Sequence, residues 1–263
     1  MAVHDDFGVG WDDDNNSIYG NLTLDHARRT LGLMDGRLFE LRWGQRLEEQ
    51  GDFWSPVRGR FALTHGPIFE VLLVALERRL PMEDVRDRLL VRHLCIHLIF
   101  CVGVGLFFLL LRRLLGGWRP ALLGAALLVL SPRIFAHSFN NSMDIPFLAT
   151  YVAVLLTMVR LLERPTLPRG LAHGLACGVL IATRIAGIIA PALTVLFFVV
   201  ELSTRRPDRR GLVRAVVSLA SCLGVMALVT VAAWPALWTD PPGQFLRAFE
   251  ISANDPWHMW EMY

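Results

Sequence analysis

Three adjacent carboxylates, Asp12, Asp13 and Asp14, follow Trp11 near the start of the chain. Crowded like charges and partial desolvation raise a carboxyl group's hold on its proton, which suits a general base that takes a hydroxyl proton. The run also fits a solvated acidic loop with helix-capping character. A further carboxylate, Asp144, stands in Asn140-Asn-Ser-Met-Asp144-Ile-Pro146, a polar break between the apolar runs Pro120–Leu130 and Ile145–Leu162. An ionisable group at the lip of a membrane span is costly to place and marks a functional site by default. Asp is also a good N-cap for a helix opening at Ile145 with Pro146 in its first turn. Capping and orienting a substrate hydroxyl are compatible roles.

The matching cations are Arg133, His137 and Arg184. Each can snorkel to lipid headgroups. Each can equally bind a substrate phosphate, for which the arginine fork is well shaped. Arg184 is the sharper candidate because it interrupts an apolar stretch. His65 reads either as a turn residue or as a substrate contact, whereas His93, His97 and His173 lie in or beside apolar runs and read as structural. The basic residues are all arginine, so lysine is excluded as nucleophile or phosphate ligand. Cys95, Cys101, Cys177 and Cys222 lie in apolar runs without zinc-ligand spacing.

Several apolar runs must position these groups. The 263 residues are 54% hydrophobic, with mean hydropathy +0.43, above an ordinary soluble domain. A net charge of +2 gives no polycationic surface for nucleic acid. A spanning helix needs about 20 apolar residues. Leu94–Leu111, Pro120 to about Phe139, Ile145–Leu162 and Leu212–Trp234 qualify or nearly so. Leu171–Val200 is too long for one span and reads as two short ones meeting at a break near Arg184. The expected fold is all-α: a polytopic transmembrane bundle with juxtamembrane helices outside the cytoplasm. Residues 1–90 form an acidic outer segment with interfacial helices, 91–234 a bundle of about six spans, and 235–263 the start of a further outer loop.

Arginine sets the direction. Arg112, Arg113 and Arg119 form one basic turn; Arg160, Arg164 and Arg169 form a second; Arg205, Arg206, Arg209, Arg210 and Arg214 form a third. With all three turns in the cytoplasm, the spans alternate without conflict. Asp144, Arg184 and the Asp12–Asp14 cluster then share the extracytoplasmic face.

In this arrangement the chain resembles the C-type, polyprenyl-phosphate-dependent glycosyltransferases, of the family 39 and protein O-mannosyltransferase-like kind. Gly8-Val-Gly-Trp-Asp12-Asp13 resembles the family's acidic pair, with Asp13 where Glu is usual. His65-Gly-Pro-Ile-Phe-Glu70 resembles the opening of the helix after that loop. Asn140-Asn-Ser-Met-Asp144-Ile-Pro-Phe147 resembles an Asn-Pro-Lys-Asp-Ile-Pro-Phe segment, with Ser142 and Met143 replacing Pro and Lys. Ala182-Thr-Arg184 and Trp234-Pro-Ala-Leu-Trp-Thr-Asp240-Pro resemble later elements.

The resemblance implies inverting sugar transfer from a polyprenyl-phosphate sugar to an acceptor hydroxyl at the extracytoplasmic face of a bacterial inner or plasma membrane. Asp12 or Asp13 is the implied base and Asp144 a positioning group. Arg184, with Arg133, would meet the phosphate, and His65 and His137 join the substrate-binding set. The implied partners are the lipid-linked donor, membrane lipids and an acceptor whose chemistry is open. The resemblance names no certain cofactor, and the acidic residues leave room for a divalent metal. The family carries a hydrophobic helix before the acidic loop and several helices beyond residue 263, so the expectation is a fragment of a longer protein. The competing expectation is a transporter or lipid-binding membrane protein without catalysis, since acidic groups and a broken helix also suit ion coupling.

Overall fold

The computed structural model describes residues 13–33, 66–80, 84–205 and 207–254. Among them are ten α-helices, two short 3-10 turns and no strand. Four helical segments are long and apolar enough to cross a membrane. These are α3 (Val85–Leu115), α6 (Asp144–Glu163), α8 (Ile189–Arg205, extended by the 3-10 turn Ile185–Ile188) and α9 (Arg209–Ala233). Leucine, valine and phenylalanine dominate these stretches and many remain exposed on their outer faces, including Leu98, Val102, Leu196 and Leu228. Apolar side chains turned outward are what a helix needs where its surroundings are hydrocarbon.

Pro120 to Phe139 does not form one continuous helix. α4 (Trp118–Val129) and α5 (Pro132–Asn140) meet at an angle of 66°. Pro132 explains the break. It has no N–H to continue the α4 ladder, and it pushes Ser131 out of the helical region, here to φ −67° and ψ 111°. Together the pair has the composition of a fifth span.

The interruption expected near Arg184 is present. α7 (Leu167–Ile181) ends there and Arg184 is extended, at φ −150° and ψ 137°. α7 has 15 residues, fewer than the roughly 20 of a full span. It packs tightly on α9 because Gly170, Gly174 and Gly178 line one side, one turn apart. A Cβ on Gly170 would overlap the Ser218 carbonyl, and one on Gly174 the Cys222 carbonyl. Backbones meeting this closely are the reason small residues recur at helix contacts in membranes.

Polar groups also join helices inside the bundle. His173 of α7 is fully buried, 2.8 Å from the Thr157 hydroxyl of α6 and 2.9 Å from the Thr194 hydroxyl of α8. Thr194 donates its own proton to the Ala190 carbonyl. It can therefore accept from His173 Nε2, and the Thr157 hydroxyl, which likewise donates to the Ala153 carbonyl at 2.8 Å, stands beside Nδ1. His173 thus joins α6, α7 and α8 from within the core.

Two further helices precede the bundle: α1 (Asp13–Thr30) and α2 (Ile68–Glu77). Arg78, just past α2, donates to Asn21 Oδ1 at 2.6 Å and to Asp25 Oδ1 at 2.5 Å, tying α2 to α1. Arg92 of α3 donates to Glu77 at 2.8 Å and also to Glu70, tying α2 to α3. Arg92, Glu70 and Glu77 are all buried. α3 starts at Val85 rather than Leu94: Asp84 caps it by accepting from the Arg86 N–H, and its charged first turns carry Arg92 to this network. α10 (Pro241–Asn254) closes the described chain, with Ala248 packed against Trp234 and Leu237.

Candidate functional site

The α5–α6 turn is built by Asn141. Its Oδ1 accepts from the backbone N–H of Met143 at 3.1 Å and of Asp144 at 2.7 Å. Asn141 therefore satisfies the donors at the start of α6, a capping role for which Asp144 was one candidate. Asp144 instead becomes the first helical residue. Its carboxylate is free to turn outward, 55% exposed, and one oxygen accepts from Asn141 Nδ2 at 3.0 Å.

The other carboxylate oxygen lies 3.0 Å from Arg184 Nη1. The two residues are 40 positions apart in sequence, and the fold joins the α5–α6 turn to the α7–α8 break through this contact. Arg184 is about one-third exposed, and its buried Nε has no hydrogen-bond partner among the described residues. The exposed part of this guanidinium, beside a partly solvated ion pair, can still receive an anion.

Three other elements reach this end of the bundle. Asn16 of α1 donates to the Ser142 hydroxyl at 3.2 Å, next to the turn carrying Asp144. Asp13 and Asp14 open that same helix, less than a turn before Asn16. Gly66 lies so close to Ala182 that a Cβ there would overlap the Ala182 carbonyl, two residues before Arg184. The 3-10 turn Pro235–Leu237 packs with Ile181 and Ile185 around buried Trp234. Segments from five parts of the sequence thus converge around one ion pair.

Arg133 and His137 lie on α5, one turn apart and both exposed. Neither is ion-paired to Asp144. They flank the site rather than enter the pair. Asp12 and His65 lie outside the described residues, as do the side-chain surroundings of Asp13. Among the described residues no three His, Cys, Asp or Glu side chains gather as a metal site.

Hydropathy concealed Glu70, Glu77 and Arg92, which hold α2 in place. A signal was present: Glu70 and Glu77 are seven residues apart on one helix, two turns, and so share a face. Asn16 and Ser142 were also missed as contacts, because nothing in either local sequence points to the other.

The arginine-rich turns occupy another end. Arg113 of α3 forms a two-pronged pair with Glu163 of α6, with Nε at 2.7 Å. Arg205 of α8 donates to the Glu163 carbonyl at 3.2 Å. These contacts gather the three basic turns expected on one side of the membrane.

The family model for dolichyl-phosphate-mannose-protein mannosyltransferase matches residues 86–234, more than half of the chain. The match includes Arg133, His137, Asp144 and Arg184 and begins after Asp12, Asp13 and His65. No curated protein and no solved structure matches the chain.

Proposed function

Because the chain belongs to the dolichyl-phosphate-mannose-protein mannosyltransferase family, and so to the C-type membrane glycosyltransferases, we propose that it transfers a sugar from a polyprenyl-phosphate donor to an acceptor hydroxyl. The site is the end of the bundle where Asp144 meets Arg184, on the extracytoplasmic face. The observation that supports this reading most is the 3.0 Å Asp144–Arg184 pair, flanked by α1 through the Asn16–Ser142 bond. A guanidinium close to the helix that opens with Asp13 and Asp14 is consistent with a donor phosphate held next to the base.

In the proposed step, Asp12 or Asp13 takes the proton of the acceptor hydroxyl. The oxygen bonds to the anomeric carbon from the face opposite the phosphate. The carbon–oxygen bond to the lipid phosphate breaks and its electron pair leaves with the phosphate, inverting the anomeric centre. Arg184 stabilises the added phosphate charge. Asp144 holds Arg184 in place until the donor arrives. Arg133 and His137 on α5, together with His65, contribute substrate contacts around the pair.

The test is transfer from a radiolabelled polyprenyl-phosphate sugar by the full chain in lipid, with the product's anomeric configuration read by NMR. Arg184→Gln is expected to lower turnover about 100-fold or more, the scale of losing one donor to a developing oxyanion. Asp12→Asn/Asp13→Asn is expected to lower it roughly 100- to 10,000-fold. Wild-type turnover in the double variant would eliminate the base assignment, and retention of configuration would eliminate the single-displacement step.

A further inference from the structure

A cavity lies away from Asp144 and Arg184, among the arginine-rich turns. Its volume is about 680 Å³, within the range of about 300–1,000 Å³ usual for ligand sites. The α6–α7 turn, the end of α8 and the start of α9 form its walls.

The lining has two kinds of surface. Leu162, Leu167, Phe198, Leu202, Val213 and Val217 form an apolar wall. Leu167, Val213 and Val217 are each about half exposed and continue that wall onto the outer surface of the bundle. Arg164, Arg205 and Arg214 supply three guanidinium groups.

The two carboxylates in the lining are already engaged. Glu163 is held by Arg113, and Glu201 is held by Arg205. The guanidinium groups of Arg164 and Arg214 have no ion pair or hydrogen bond among the described residues. The pocket therefore offers two unpaired cations above a greasy wall that opens sideways.

We propose that this cavity is a binding site for an anionic phospholipid, with the headgroup phosphate between Arg164 and Arg214 and an acyl chain along Leu167, Val213 and Val217. The arginine fork matches phosphate oxygens. Basic pockets between membrane helices commonly hold such headgroups. Free phosphate would satisfy the arginines but leave the adjoining apolar wall uncovered, which is why the lipid is the stated occupant. The site is separate from the Asp144–Arg184 pair and does not depend on the proposed transfer reaction. Its lipid would join the ends of α6, α8 and α9 across the turn on which α7 begins.

The experiment compares the full chain in nanodiscs of phosphatidylcholine alone with nanodiscs containing phosphatidylglycerol, reading melting temperature and bound lipid by native mass spectrometry. Phosphatidylglycerol is expected to raise the melting temperature and to be retained selectively. In Arg164→Gln/Arg214→Gln that selectivity should fall by about tenfold or more. Val217→Trp keeps every charge but narrows the apolar wall, and should also reduce retention. It stands in for the double variant should that one fail to fold. Equal retention of phosphatidylcholine by the wild type would overturn the proposal, as would undiminished selectivity in both variants. Inorganic phosphate alone reproducing the full stabilisation would overturn the lipid as occupant. None of these readouts depends on sugar transfer.

Discussion

Asp144 and Arg184 act as a unit if the proposed reaction holds. Each is polar in an apolar neighbourhood, and each has a second hydrogen-bonding option: Asn141 for Asp144, and the exposed part of its guanidinium for Arg184. A shared role makes their losses non-additive. Asp144→Asn is expected to lower turnover about tenfold, and Asp144→Asn/Arg184→Gln to be no slower than Arg184→Gln alone, as steady-state kinetics of the three variants would show. Additive losses would assign the two residues independent roles. The sequence marked both residues because charge is conspicuous against apolar flanks. It did not show that they touch. It offered Asp144 as one cap for α6, and the structure gives that work to Asn141, three residues earlier. Both side chains cap helices well, so the choice depends on the path of the turn and not on residue type.

Two element-scale features set where the site sits. α2 is fixed by Arg92, which pairs with both Glu70 and Glu77. Replacing Arg92 with Leu would leave two buried carboxylates without their partner. The expected cost is about 3–5 kcal/mol, as for other broken buried ion pairs, visible as a lower melting temperature or loss of folded protein. Replacing all three residues with apolar ones should cost much less, because the unmet charge is then absent. α7 is fixed by glycine. Gly174→Leu forces α7 away from the Cys222 carbonyl and is expected to destabilise by about 1–3 kcal/mol or more, with Gly224→Leu as control, since open space surrounds Gly224. The sequence exposed the helices through their apolar length and the α7–α8 break through Arg184. It concealed the 66° bend between α4 and α5, although Ser131-Pro132 signals a boundary, because the combined hydropathy of the two pieces still reads as one span.

At the scale of the whole molecule, two ends are chemically distinct. One gathers Arg113, Arg205 and their neighbours, and the other gathers Asp144, Arg184, α1 and the turn at Trp234. In sealed vesicles of known orientation, Ala186→Cys and Ser203→Cys, both at exposed positions, should react with a membrane-impermeant thiol reagent from opposite sides. With the arginine turns in the cytoplasm, Ala186→Cys reacts from outside. Reaction of both from one side would overturn the two-ended topology. Composition and hydropathy suffice for a helical membrane protein, because hydrocarbon leaves the backbone few alternatives to the helix. Arginine placement orders the turns, because charge bias acts on each loop separately. The rest is non-local. Which polar groups meet depends on how helices distant in sequence pack, and no local pattern encodes that Asn16 reaches Ser142 or that Arg92 takes two glutamates from another helix. The amino-acid sequence by itself determined a helical chain, the order of its apolar runs and the charged residues that could do chemistry. Only the tertiary structure decided which of those charges pair, because pairing is set by close packing between segments, such as the glycine face of α7 against α9, and not by anything either segment carries alone.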